Sequence, residues 1–289
     1  MKTCLRNFFR RAGELVACAL YVVSLGGASP VATPSPAVNA QPPPRLALGS
    51  VAIGASVLDA VKIFGAPDVI RNIDLGHEWQ WVEAGGLDRE VLTDDDMTVR
   101  QVLVAVPASI EGESPPPVVQ PPEFRALAVP VDDAAGAVAA AGGTSIVEPD
   151  PTIRAWSFPG GVLVAELESG AVGRLLALDD FMARVLGYLE PPPDMKSSVY
   201  RAPLLTRDYY TSYPMAALRA GIEGRAVVRV LIDPTGTPAN VRIVVSSGNA
   251  DIDAAALESA RKSAFRPAHC DDTPCQAVYF DLQDYSIVR

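Results

Sequence analysis

The 289-residue sequence predicts an α+β fold: two small helix-plus-antiparallel-sheet modules, the second a copy of the first, followed by a ββαβ domain with a packed helix. Three observations predict it. Runs alternating apolar and polar residues, the pattern of half-buried strands, recur between Gly, Pro and Asp turn signals. Stretches with helical spacing are few and short, and glycine or proline stops them. Proline runs at 30–44, at Pro115-Pro116-Pro117 with Pro121-Pro122, and at Pro191-Pro192-Pro193 act as extended spacers. They divide the chain into residues 1–44, 45–111, 123–188 and 200–289.

Composition narrows the function classes. With 49% apolar residues a core is available, which disfavours wholesale disorder. A formal net charge of −10 argues against non-specific binding to nucleic acid or anionic headgroups.

Residues 1–44 read as a targeting segment with a Pro-rich linker. Lys2, Arg6, Arg10 and Arg11 precede an apolar run from Leu15 to Leu25, then small residues and a Pro/Ala/Ser stretch. As a signal peptide the run is an h-region, with cleavage after Ala28 or Ala40. As a membrane anchor, Ala12 to Ala28 falls short of the roughly 20 residues a span needs. Both readings leave the basic end in the cytoplasm and export the rest. Leu15-Val16-Ala17-Cys18 has the look of a lipoprotein box, but the apolar run follows the cysteine, which disfavours lipidation.

In the first module Val57 to Phe64 is a short amphipathic helix stopped at Gly65-Ala66-Pro67. A tryptophan strand follows at Trp79-Gln80-Trp81, then Arg89 to Leu92, a turn at Asp94-Asp95-Asp96 and a strand from Val99 to Val106. In the second module a helix over Asp132 to Ala141 stops at Gly142-Gly143. Strands follow at Ala155 to Phe158 and Val162 to Leu167, then a turn at Ser169-Gly170 and a strand at Val172 to Leu176. The same order in both predicts a duplication. Gly65-Ala66-Pro67 with Trp79-Gln80-Trp81 resembles the "GxP" and "WxY" outline of small periplasmic domains of the SmpA/OmlA type, a likeness that bears on fold alone.

The C-terminal unit opens with Tyr213-Pro214, where Pro214 suits a first helical position, and Arg219-x-Gly221-x-x-Gly224 follows. Val228, Val230 and Ile232 mark one strand and Val241, Ile243 and Val245 a second, joined by a turn at Asp233-Pro234-Thr235-Gly236. A helix begins near Asp251, with Asp251 and Asp253 at its positive end, Arg261 and Lys262 at its negative end, and Pro267 ending it. A last strand carries Val278, Phe280 and Leu282 on one face. With Ser246-Ser247-Gly248, Asp253-Ala254-Ala255-Ala256-Leu257 and Phe265-x-Pro267, residues 203–289 resemble the C-terminal domain of the TonB family of energy transducers.

Other chemistry is weakly signalled. Cys270 and Cys275, enclosing four residues in an exported segment, predict a local disulfide. A zinc site through His269 is the alternative, but His77 is the other of two histidines and carboxylates would have to complete the ligands. Asp94-Asp95-Asp96 lacks the glycine and distal glutamate of a calcium loop. Ser246-Ser247-Gly248 is no nucleophile elbow, and Gly142-Gly143 and Gly160-Gly161 are no phosphate loops. Trp79, Trp81 and Trp156 read as core aromatics rather than a stacking platform, and Glu166 with Glu168 as a solvated face. No enzyme, cofactor or metal is expected, unless ionisable groups converge in a cleft between units.

The resemblance implies binding by strand addition. An extended segment of an outer-membrane transporter would pair with Val278, Tyr279, Phe280, Asp281 and Leu282, near Tyr213 and Pro214. It also implies inner-membrane motor proteins as partners, with homodimer formation left open, and an inner-membrane-anchored or periplasmic location. The apolar N-terminal run carries no histidine, and duplicated modules stand where long Glu-Pro/Lys-Pro spacers are expected. A secreted, non-energised binding or envelope-assembly protein reusing the same module is therefore the second expectation.

Overall fold

The computed structural model of the chain describes residues 21–22, 46–82, 88–105, 135–136, 138–139, 142–148, 150–192 and 198–287. The leader apart from residues 21–22, with Cys4 and Cys18, the proline spacers before residue 123 and most of the helix expected over Asp132 to Ala141 lie outside them. Among the described residues no helix is long and apolar enough to cross a membrane.

The expected first helix, α1, spans Val57–Phe64. Ser56 caps it by accepting the Leu58 N–H at 3.3 Å, and Gly65 ends it at φ 82°, a left-handed position that glycine takes without strain. Strands β1 (Val69–Ile73), β2 (Gly76–Val82), β3 (Asp88–Thr93) and β4 (Val99–Ala105) follow as a meander. From the second module come β5 (Thr144–Ile146), β6 (Ile153–Phe158), β7 (Gly161–Glu168) and β8 (Ala171–Leu178). Together they form one eight-stranded antiparallel sheet in the order β1-β2-β3-β4-β8-β7-β6-β5. The last strands of the two halves, β4 and β8, pair at its centre, Val102 opposite Ala177. A row of register partners crosses the six inner strands as Trp79, Val91, Val102, Ala177, Leu163 and Trp156. A tryptophan thus stands two strands out on each side of the central pair.

The central strands are covered on both faces, which accounts for the nearly continuous apolar runs Val102 to Ala105 and Leu175 to Leu178. One face packs on α1. The other is covered by α2 (Asp180–Val185), whose cap Asp179 accepts the Met182 N–H at 2.7 Å. Met182, Ala183 and Leu186 cluster there with Leu92, Leu103, Leu176 and Leu178.

The C-terminal unit begins with β9 (Ser198–Arg201), β10 (Leu204–Arg207) and α3 (Met215–Arg219). Pro214 is the residue before α3, at ψ 121°, rather than its first helical residue. Next come β11 (Gly224–Ile232), β12 (Pro238–Val245), α4 (Ala250–Lys262), β13 (Ala264–Arg266), β14 (Ala268–Cys270), β15 (Thr273–Cys275) and β16 (Ala277–Tyr285). Asn249 caps α4, accepting the N–H groups of Asp251 and Ile252 at 3.0 and 3.1 Å. α4 stops at Lys262, five residues before Pro267, because β13 turns away to pair with β10. The Cys270 and Cys275 sulfurs are bonded, with Cα atoms 5.9 Å apart, and staple β14 to β15.

Strands β12, β11 and β16 form a three-stranded sheet with β11 in the middle. Its first face, with Ala226, Val228, Val230 and Ile232, packs on Ile252, Ala256 and Ala260 of α4. The opposite face is buried too. Val227, Val245, Val278 and Phe280 join Trp79, Trp81 and Val91 of the large sheet in one core.

Candidate functional site

Strand β16 pairs with β11 along its whole length, Gly224 opposite Tyr285 through Ile232 opposite Ala277, and among the described residues no other backbone ladder joins its far side. That outer rim is a set of peptide groups whose direction can be assigned. The Phe280 amide and carbonyl both point away from β11, because the Asn72 side chain of β1 bonds to them at 2.8 and 2.9 Å. Alternation by two then puts the peptide groups of Val278, Leu282 and Asp284 on the same rim.

Beside the far half of this rim lies a groove of about 390 Å³, lined by Asp208, Tyr210, Thr211, Tyr213 and the run Asp281 to Ser286. Its walls are fixed. The Tyr213 hydroxyl donates to the Ile222 carbonyl at 2.5 Å, and the ring meets Tyr285 edge-on at 5.6 Å. The hydroxyls of Thr211 and Tyr285 are 2.9 Å apart. Tyr210, by contrast, is 81% exposed.

The groove is acidic. Burial pushes the Asp281 carboxyl up to about 6, the Asp208 charge adding to the effect and a hydrogen bond from Gln283 opposing it. A carboxyl raised in the fold contributes stability fully below its unfolded value of about 3.9, and that stability is lost as pH rises through about 6. Asp281→Asn, which can still accept from Gln283, is expected to be more stable than the parent at pH 8 by roughly 2–3 kcal/mol and nearly equal to it at pH 3. Urea denaturation at the two pH values checks this. The comparison must be between variant and parent, because Glu90 on β3, pushed up to about 7 by burial and by the Glu78 and Asp88 charges, makes both curves fall.

The structure brings together part of the predicted set. Tyr213, Asp281 and Leu282 line the groove. Val278 and Phe280 are 2% and 1% exposed, their side chains turned onto the large sheet. Tyr279 points the other way, its ring 5.1 Å from Phe265. Pro214 is not among the groove residues. Sequence reasoning missed Asp208, Tyr210 and Thr211, although the run Tyr209-Tyr210-Thr211-Ser212-Tyr213 offered an aromatic signal beside the chosen motif. It also missed Asn72, for which no local signal exists.

The remaining candidates have structural work. Asp94 accepts the N–H groups of Asp96 and Thr98 and pairs with Arg100, closing a turn. The Ser246 and Ser247 hydroxyls donate to Asp253 at 2.6 and 2.7 Å, holding β12 to the start of α4. Glu166 pairs with Arg174 at 2.8 Å. The Trp79 and Trp81 indoles donate to the Thr93 hydroxyl and the Gly65 carbonyl, and both rings are buried. Among the described residues no group of three or more His, Cys, Asp or Glu could hold a metal ion.

Residues 209–282 match the family model described as the Gram-negative bacterial TonB protein C-terminal. The TonB-type match opens on the tyrosine-rich wall of the groove and closes on Leu282 at its rim. Two proteins called Protein TonB, from Xanthomonas campestris pv. campestris strain B100 and a second strain of that pathovar, are each 45% identical over 53 residues. That stretch is 18% of this chain and 24% of each relative, so the chain spans about a quarter of the length of the curated relatives it matches. A solved extracellular protein with an SCP domain from Bacillus anthracis str. Ames overlaps 53% of this chain and 51% of its own at 11% identity. Its TM-score of 0.34 carries no argument about fold or function.

Proposed function

We propose that this chain is a TonB-like, non-enzymatic coupler of the cell envelope, which takes up an extended segment of an outer-membrane transporter as an added strand on β16. The observation that carries this reading is the outward-facing row of peptide groups on β16, running beside the Tyr210–Tyr213 groove and overlapping the family match as far as Leu282. A guest laid along that rim satisfies the backbone donors and acceptors of Leu282 and Asp284, and the groove receives its side chains. The family consists of energy transducers rather than enzymes. Coupling to an inner-membrane motor follows if the N-terminal segment stays in the membrane. The central pairing of β4 with β8, with a tryptophan at equal distance on each side, supports the reading of residues 45–188 as a duplicated module.

One residue tests strand addition. The Leu282 N–H points to the rim, so proline there removes a guest contact but no bond to β11, and edge positions tolerate it. Leu282→Pro is expected to keep the parent circular dichroism spectrum. It should weaken binding of extended peptides, drawn as an array from the host's transporter N-terminal segments, about tenfold, the equivalent of about 1.4 kcal/mol. Parent-like binding by this variant would sink the reading.

The core shared by the C-terminal and large sheets favours the second reading as well, since it binds the recognition domain to the body of the molecule instead of leaving it on a tether. Mapping the N-terminus of the exported protein separates the two. Cleavage after Ala28 or Ala40 leaves a secreted binding protein, and an intact N-terminus leaves an anchored transducer.

A further inference from the structure

We propose that the large sheet occupies the rim of β16 at Phe280 in competition with an added strand, so that Asn72 acts as an internal stand-in for the guest. This rests on the strand-addition reading and adds a built-in restraint to it.

The contact has the chemistry of a strand pair. A side-chain amide carries one carbonyl acceptor and an N–H donor in the arrangement of a peptide group. Asn72 presents its Oδ1 to the Phe280 N–H at 2.8 Å and donates Nδ2–H to the Phe280 carbonyl at 2.9 Å. These are the two bonds that a guest residue opposite Phe280 would make. The amide cannot turn without losing both. Its Oδ1 also sits 2.8 Å from His77 Nδ1, and the far nitrogen of that ring faces Asp95 at 3.0 Å. The His77 ring in turn meets the Phe280 ring edge-on at 4.6 Å. Two further ties hold the neighbourhood of β1 to the C-terminal unit. Asp68 pairs with Arg225 of β11 at 2.6 Å, and Asp74 accepts the Ala202 N–H at 2.8 Å.

The restraint covers part of the rim. The half from Leu282 to Asp284 opens on the groove, whereas the bonds at Phe280 are made by Asn72. A guest can therefore land on the open half, but it extends past Leu282 only by displacing the Asn72 amide. Asn72 lies outside the family match and on a different sheet, so the device is a property of this chain's architecture.

The test uses the full chain, Asn72→Ala and Asn72→Asp; the aspartate keeps the acceptor for the Phe280 N–H and loses the donor to its carbonyl. Amide hydrogen exchange and binding of the tightest peptide of the array above are measured for each. The expected result for Asn72→Ala is exchange at Phe280 at least tenfold faster, with Tyr279 and Asp281, bonded to β11, unchanged. Peptide affinity should rise about three- to tenfold, with Asn72→Asp intermediate in affinity. Unchanged exchange at Phe280 would overturn the proposal. So would equal acceleration at Tyr279, Phe280 and Asp281, which marks general loosening of the strand. Faster exchange at Phe280 with unchanged affinity overturns the competition but leaves strand addition standing. Failure of every array peptide to bind parent and variants alike overturns strand addition, and the competition with it.

Discussion

Phe280→Ala is expected to cost about 3–5 kcal/mol, the range for removing a fully buried phenylalanine. The ring is 1% exposed and lies between two sheets, 4.6 Å from the His77 ring and 5.2 Å from that of Trp79. Its loss leaves a void that neither sheet can fill alone, because each is held by its own backbone ladder. For a chain of this size the loss corresponds to a fall in Tm of roughly 10 °C. Thermal unfolding followed by tryptophan fluorescence checks it, since Trp79 reports the same core. A loss under about 1 kcal/mol would mean that the ring is not buried between the sheets. A second transition, appearing only in the variant, would mean that Phe280 is what makes the two units unfold together.

Gly236→Ala is expected to be the next most damaging change. Gly236 sits at φ 88° in the turn between β11 and β12, where the left-handed backbone costs a non-glycine residue roughly 1–2 kcal/mol. An added Cβ would also lie 2.3 Å from the Phe265 carbonyl oxygen, an impossible approach that must displace either the turn or β13. The turn resists, because Asp233 accepts the N–H groups of Thr235 and Thr237 at 2.8 and 3.0 Å. The combined loss is put at about 3 kcal/mol. Gly248→Ala is the control. Its φ is 85°, but nothing lies within 4 Å of the added carbon, so only the backbone cost of roughly 1–2 kcal/mol should appear. Equal midpoints in urea for the two variants would remove the steric argument.

Much of the fold was legible in the sequence where a local signal sets the structure. Val57 to Phe64 shows helical spacing and a glycine stop, and α1 has those bounds. The pairs of alternating runs around Asp233 to Gly236 became β11 and β12. Elements set by distant partners were not legible. Strand β1 has the short run Val-Ile-Arg-Asn-Ile, with no strict alternation, and it exists because β2 pairs with it. The end of α4 was misplaced because Ala264 to Arg266 leaves the helix to pair with β10, whose partner residues lie 57 to 62 positions earlier in the chain. The joining of the two modules edge to edge, through β4 and β8, is likewise a tertiary choice that neither strand's residues announce.

The candidate site divides in the same way. Tyr213, Asp281 and Leu282 were named from a resemblance carried within one domain, and all three line the groove. The burial of Val278 and Phe280 against the large sheet was hidden, because a strand's apolar face does not say which body will cover it. Asn72 was beyond reach for a simpler reason. It lies 208 residues from Phe280, and a single asparagine in a short strand has no pattern of its own.

The seam between the two sheets has a mechanical consequence. A load attached along β16 pulls in shear on the β11–β16 ladder, where nine register pairs resist together. Among the described residues the junction with the large sheet has no backbone ladder and is made through side chains, chiefly the Asn72 amide, the Asp68–Arg225 pair and the Phe280 ring. Under tension that junction should part first, as a sacrificial fastener, and the strand holding the cargo should stay intact.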